Sequence, residues 1–113
     1  MKLLTRHEEH VLLTILHLKD NAYLVTIKEY LEGRTSKKLS FGTLHVLLNR
    51  LEKMGYVRYK VGEATLKRGG KAIKYYSVTK TGLRTLEKVR EVQNTMWNGY
   101  SRLAGKAGET HDS

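Results

Sequence analysis

One stretch of this chain carries its own start, two faces and a stop: Ser40-Phe41-Gly42-Thr43-Leu44-His45-Val46-Leu47-Leu48-Asn49-Arg50-Leu51-Glu52-Lys53-Met54-Gly55. Ser40 is placed to cap a helix, because its hydroxyl accepts a backbone N–H that the first turn leaves without a partner. Leu44, Leu47, Leu48, Leu51 and Met54 recur at three and four residues, which puts them on one face of a helix. Gly55 stands where a helix ends in a left-handed residue. Thr43, His45, Val46, Asn49, Arg50 and Lys53 fall on the opposite face. A core needs none of them. As hydrogen-bonding or cationic groups with one small apolar side chain, they suit the major groove of DNA, where donors, acceptors and the thymine methyl are read. A lone helix with such a face is more commonly solvated surface, so the flanking sequence has to decide.

The charge balance bears on that choice. Lys and Arg outnumber Asp and Glu by 21 to 11 in 113 residues, a net charge of +10. The length suits one domain with one core, and the charge favours a polyanionic partner, nucleic acid before an acidic membrane surface. Cysteine is absent, which excludes disulfides and thiolate metal sites and gives no sign of secretion. No apolar run approaches the roughly 18–20 residues that span a bilayer. The first residues, Met1 to Glu9, turn polar too soon for a signal peptide. The expected compartment is the cytoplasm. His7 and His10 flank Glu8-Glu9 at i,i+3, whereas the helical zinc-protease motif needs i,i+4. No phosphate-cradling loop and no nucleophile with its base is legible. The reading is therefore no enzyme, no metal and no cofactor.

In chain order, Thr5 to Leu18 reads as a first helix, with Thr5 and Glu8 at capping-box spacing and Val11, Leu12, Ile15 and Leu16 as its buried stripe. Tyr23-Leu24-Val25 is β-prone, a small strand or an extended lead-in to a second helix. Thr26 and Glu29 repeat the capping spacing, Ile27, Tyr30 and Leu31 face inward, and the helix stops near Gly33. Arg34 to Lys38 is a basic connector, which makes the second and third helices a helix-turn-helix.

From Tyr56 the period changes to two: Val57, Tyr59 and Val61 alternate with Arg58 and Lys60, as in a half-buried strand. Ala72 to Val78 forms the returning strand, and alternation places one of Tyr75 and Tyr76 inward without saying which. The loop between them is glycine-rich and cationic. From Lys53 through Lys74 there are seven basic residues and one acid, Glu63. Thr79 caps a last helix running from Lys80 to about Leu103. Leu86, Val89, Gln93, Met96, Tyr100 and Leu103 are spaced 3, 4, 3, 4, 3 along it, a heptad seam that asks for a partner helix.

The expected fold is therefore mainly α with a small β-hairpin. A winged helix-turn-helix domain covers 1–79 with its wing at about 57–78, a dimerisation helix covers 80–104, and 105–113 is expected to be a disordered tail.

These segments also carry a resemblance. Gly42-Thr43-Leu44-His45, then Leu48-Asn49-Arg50-Leu51-Glu52-Lys53-Met54-Gly55-Tyr56-Val57, and later Tyr75-Tyr76-Ser77-Val78-Thr79-Lys80-Thr81-Gly82 resemble the PadR family of transcriptional regulators. That family's pattern is roughly G-T-L-Y, then L-x-R-L-E-x-x-G-(L/Y)-(I/V), a wing, and Y-Y-x-(L/V)-T-x-x-G. The resemblance covers about Leu12 to Leu86. The chain departs from the pattern at His45, where tyrosine is usual, at Val46, where proline is common, and at Tyr23-Leu24-Val25, which replaces a His-Gly-Tyr segment. The resemblance implies a homodimeric, usually repressing, DNA-binding regulator of the short subgroup with one C-terminal helix.

The candidate sites follow. Thr43, His45, Val46 and Asn49 are candidates for base edges, and Ser40, Arg50 and Lys53 for phosphates; an ion pair with Glu52 or an acid of another helix is the competing role for Arg50. Lys37 and Lys38 in the connector, and Lys67, Arg68 and Lys71 on the wing, are further phosphate or minor-groove candidates, Gly69-Gly70 allowing close approach. Leu86, Val89, Gln93, Met96, Trp97, Tyr100 and Leu103 are the candidate dimer interface. Met96 and Trp97 are candidates for a site taking a small aromatic or hydrophobic effector, with plain dimer packing as the competing reading. The expected partners are double-stranded DNA and a second copy of the chain, with no membrane. The alternative function is a winged-helix protein-interaction module without sequence-specific DNA binding; a membrane-surface role is weaker, because the cations cluster on a hairpin rather than on an amphipathic helix.

Overall fold

The computed structural model describes residues 4–62 and 72–111, with the side chains of 108–111 excepted. The described elements are α1 (Arg6–Leu18), a 3-10 turn (Lys19–Asn21), α2 (Leu24–Thr35), α3 (Phe41–Lys53), β1 (Val57–Val61), β2 (Lys74–Val78), α4 (Lys80–Trp97) and α5 (Tyr100–His111). The chain is mainly α with one antiparallel hairpin, as expected.

The three helical caps expected at Thr5, Ser40 and Thr79 form. Thr5 Oγ1 accepts the Glu8 N–H at 3.1 Å while the Glu8 carboxylate accepts the Thr5 N–H at 2.8 Å. Ser40 Oγ accepts the Thr43 N–H at 3.0 Å, and Thr79 Oγ1 that of Gly82 at 3.0 Å. Each satisfies a donor that the helix itself leaves unpaired. α3 stops at Gly55, whose φ of 80° is open to glycine without strain, and the Tyr56 N–H then reaches back to the Leu51 carbonyl at 2.9 Å, the longer bond of a Schellman ending.

α2 starts earlier than Thr26. Thr26 lies inside its first turn, its hydroxyl accepting the Tyr23 N–H at 3.0 Å and donating to the Asn21 carbonyl at 2.6 Å. Tyr23-Leu24-Val25 is therefore a helix start and not a strand. The sheet meets the chain just before this segment through a backbone bond, the Tyr76 N–H donating to the Ala22 carbonyl at 2.8 Å. α2 also runs past Gly33 to Thr35 and ends on Ser36 at φ 59°.

The core is built from Val11, Leu12 and Ile15 of α1, Ala22, Ile27 and Leu31, then Leu44, Leu47, Leu48 and Leu51 of α3, Val57 of β1 and Tyr76 of β2. The expected α3 face is thus the buried one. Leu16 is not buried but 42% exposed, because the buried face of α1 is Glu8, Val11, Leu12, Thr14 and Ile15, turned towards Thr14 and away from Leu16. In the hairpin Val57 pairs with Val78, Tyr59 with Tyr76 and Val61 with Lys74. Tyr76 is the inward tyrosine, while Tyr75 packs edge-on against Tyr23 at 5.5 Å. Burial fades along β1, since only Val57 is covered and Tyr59 and Val61 are exposed. The alternation is real, but the distal hairpin projects beyond the core that would bury it.

The Thr79-Lys80-Thr81-Gly82 segment joins the end of α3 to the start of α4. Thr79 Oγ1 donates to the Gly55 carbonyl at 2.6 Å. A Cβ at Gly82 would collide with the Tyr56 carbonyl oxygen and stand 2.8 Å from Val78 Cγ1. Glycine is required there because α4 lies directly on the backbone that leaves the third helix.

The C-terminal half differs from the expected single helix. α4 ends at Trp97, Asn98 turns out of helical geometry, and Gly99 takes φ 77° before α5 begins. Asn-Gly is a strong turn signal, and it interrupts the heptad spacing between Trp97 and Tyr100. α5 continues to His111, through most of the segment expected to be disordered. That segment has no proline to stop a helix, and Leu103 and Ala104 just before it, with Lys106 and Ala107 inside it, favour one.

Candidate nucleic-acid interface

One carboxylate ties the end of the connector back to α2. Glu32 accepts the Leu39 N–H at 2.9 Å and binds both carboxylate oxygens to Lys28 Nζ at 3.0 Å. The Leu39 N–H first, then the Lys28 ammonium, hold the Glu32 carboxyl below its ordinary value of 4.5. A backbone amide of the connector is thereby fixed to the second helix, one residue before the Ser40 cap.

On α3, Thr43, His45, Val46, Asn49, Arg50 and Lys53 are all exposed, opposite the buried leucines. Val46 is 56% exposed although apolar. Ser40 and Thr43 hydroxyls bond each other at 2.9 Å as part of the cap. Arg50 is engaged within the chain, its Nη1 lying 3.5 Å from Glu8 Oε2. The Glu8 side chain is 5% exposed and that of Arg50 52%. The competing role for Arg50, an ion pair with an acid of another helix, is thus realised with α1, while half of its side chain still faces solvent.

Phe41, the first residue of α3, was not singled out by sequence. It is half exposed, with Lys28 Nζ 5.1 Å from its ring centroid. An aromatic residue at the start of an amphipathic helix reads as core, and only the fold shows it outside. Arg58 and Lys60 were counted with the basic hairpin but not named as a site. Strand alternation places both, exposed, on the face away from Val57. Lys37 and Lys38 are exposed and make no salt bridge among the described residues. Lys67, Arg68 and Lys71 lie outside the described residues.

The seam divides into two parts. Val89 is buried and Leu86 packs against the core of its own domain. Gln93 donates to both carboxylate oxygens of Glu9 on α1, at 3.0 and 3.2 Å. Gln93 thus ties α4 to α1, and all three positions are used within one chain. Met96, Trp97, Tyr100 and Leu103 are 78%, 61%, 55% and 54% exposed. The Trp97 and Tyr100 rings lie 4.8 Å apart across the helix break.

A helix-turn-helix followed by a two-stranded wing and a helix that leaves the domain defines a winged-helix protein. No family model and no curated protein sequence matches the chain, but solved structures do. A PadR family transcriptional regulator from Eggerthella lenta is 27% identical, over 88% of this chain and 84% of that one, at a TM-score of 0.66. A PadR-like transcription factor from Bacteroides fragilis is 24% identical, over 83% and 87%, at 0.67. A PadR-like transcriptional regulator from Bacillus cereus is 23% identical, over 89% of each chain, at 0.65; these last two share the fold. The chain is similar in fold to these PadR regulators, the family whose motifs it resembles.

Proposed function

We propose that the chain is a DNA-binding transcriptional regulator that acts as a homodimer on a palindromic operator, most simply as a repressor that occludes a promoter. The observation that carries this is the α3 face: four leucines on one side are buried, while Thr43, His45, Asn49, Arg50, Lys53 and even apolar Val46 on the other stand exposed. The PadR-like fold supports it. Thr43, His45, Val46 and Asn49 are assigned to base edges, Asn49 with the donor and acceptor that pair with adenine. Lys37, Lys38, Lys53 and the wing cations Lys67, Arg68 and Lys71 are assigned to phosphates, as is Arg50, whose side chain stays half exposed beside Glu8.

Met96, Trp97, Tyr100 and Leu103 are assigned to the dimer contact, with Val92, which is also exposed. A two-fold axis there would bring paired helices together and set the two α3 helices about 34 Å, one DNA turn, or a multiple apart. A small aromatic or hydrophobic effector inserted at Met96 and Trp97 would alter that spacing and release the operator. Among the described residues no helix is long and apolar enough to cross a membrane.

The test is the salt dependence of binding to a selected duplex. A dimer contacting about 6–10 phosphates loses roughly 10³–10⁵-fold in affinity between about 50 and 200 mM salt. A flat response refutes the interface and favours a protein-interaction module.

A further inference from the structure

A cleft of about 390 Å³ opens where the start of α1, the end of α2, the connector and α3 meet. Its volume falls in the range of small-molecule sites, about 300–1,000 Å³. Its apolar part is Val11, Leu31, Leu39 and Leu47; four cations, Arg6, Arg34, Lys37 and Lys38, stand around it with His7, His10 and Thr35, and no acid lines it among the described residues. Arg6 is partly engaged by Glu9 at 3.6 Å, and Arg34 lies over the Tyr30 ring at 4.9 Å. Lys37 and Lys38 have no salt bridge among the described residues. An apolar floor under a rim that carries four cations and, among the described residues, no acid rejects neutral polar molecules, which leave the floor wet, and small inorganic anions, which do not cover it.

We propose that this cleft binds an amphipathic carboxylate, its apolar body on Leu31, Leu39 and Leu47 and its head on Arg34, Lys37 and Lys38. The site is separate from Met96 and Trp97. It shares Lys37 and Lys38 with the phosphate-binding connector, and Leu47 with the helix assigned to the bases. Resting on the DNA-binding reading for its consequence, occupancy opposes operator binding: the carboxylate takes the lysines that phosphates would use, and an equilibrium coupling of this kind is worth about 5–150-fold.

The test is isothermal titration of the full chain, at constant ionic strength, with octanoate, 1-octanol and acetate. Octanoate saturates, and octanol, lacking the head, and acetate, lacking the body, each bind at least about tenfold more weakly. Arg34→Gln and Arg6→Gln, both outside the assigned DNA contacts, keep the circular dichroism spectrum, and Arg34→Gln weakens octanoate about 5–10-fold. Absence of saturation, equal binding of octanol, or an unchanged octanoate affinity in Arg34→Gln overturns the site. Fluorescence anisotropy with the selected duplex tests the consequence: saturating octanoate lowers DNA affinity about tenfold in the wild type and less in Arg34→Gln. Octanoate binding with unchanged DNA affinity overturns the coupling. A chain that binds no duplex refutes the DNA-binding reading, and calorimetry still decides the site.

Discussion

Replacing Thr79 by alanine tests whether the third helix and the C-terminal helix are fastened at one hydroxyl. Thr79 Oγ1 accepts the Gly82 N–H at 3.0 Å and donates to the Gly55 carbonyl at 2.6 Å. Losing the first bond removes an N-cap, which costs about 1 kcal/mol. Losing the second frees a solvent-accessible carbonyl that water can rebind, so it costs about 0.5 kcal/mol, the low end for a hydrogen bond. The sum is about 1.5 kcal/mol. With a urea m-value of about 2 kcal/mol/M, the unfolding midpoint falls by about 0.8 M. Urea titrations must be run at one protein concentration, because association adds to apparent stability. Thr79→Ser keeps the hydroxyl and should stay within about 0.5 kcal/mol of the parent. If Thr79→Ala unfolds at the parent midpoint, or Thr79→Ser is equally damaged, the hydroxyl is not the fastening.

Two further outcomes concern the connector and the C-terminal face. The folded-state value of Glu32 is lowered by the Leu39 N–H and Lys28, so its contribution to stability is full above the unfolded value near 4.5 and is lost as pH falls through the lower folded value. Denaturant midpoints measured from neutral to acid pH should fall less for Glu32→Gln than for the parent over that window; parallel curves contradict it. Trp97→Asp and Leu103→Asp, at positions outside the folded core, should convert a dimer to monomer by light scattering while leaving the helical spectrum intact, whereas dimers surviving both changes place the interface elsewhere.

The parts of this fold legible in the sequence are those fixed by nearest neighbours along the chain. Thr5, Ser40 and Thr79 cap because their partners lie three residues on, and Gly55 ends its helix by its own conformational freedom. The leucine face of the third helix is equally local, since one period decides it. Thr26 misled because its hydroxyl is used backward, to Tyr23 and Asn21, and not forward as a cap. The heptad spacing marked an apolar face but not its cover: Val89 and Gln93 are satisfied by their own chain, Met96 and Leu103 are not. The Asn98-Gly99 break had a plain turn signal that the regular spacing on either side masked. Arg50 with Glu8, and the cleft between Arg34 and Leu47, join residues far apart in sequence; no periodicity reports such a contact.

The central claim is that the exposed face of α3 reads bases. Binding-site selection from a random duplex pool, with the parent protein, Asn49→Ala and His45→Ala, tests it most directly. The parent should enrich one palindrome. Asn49→Ala should lose about 1–3 kcal/mol of discrimination at a symmetric pair of positions and leave the others unchanged, with His45→Ala relaxing a neighbouring pair. No enrichment by the parent, or the same palindrome selected equally sharply by both variants, contradicts the account.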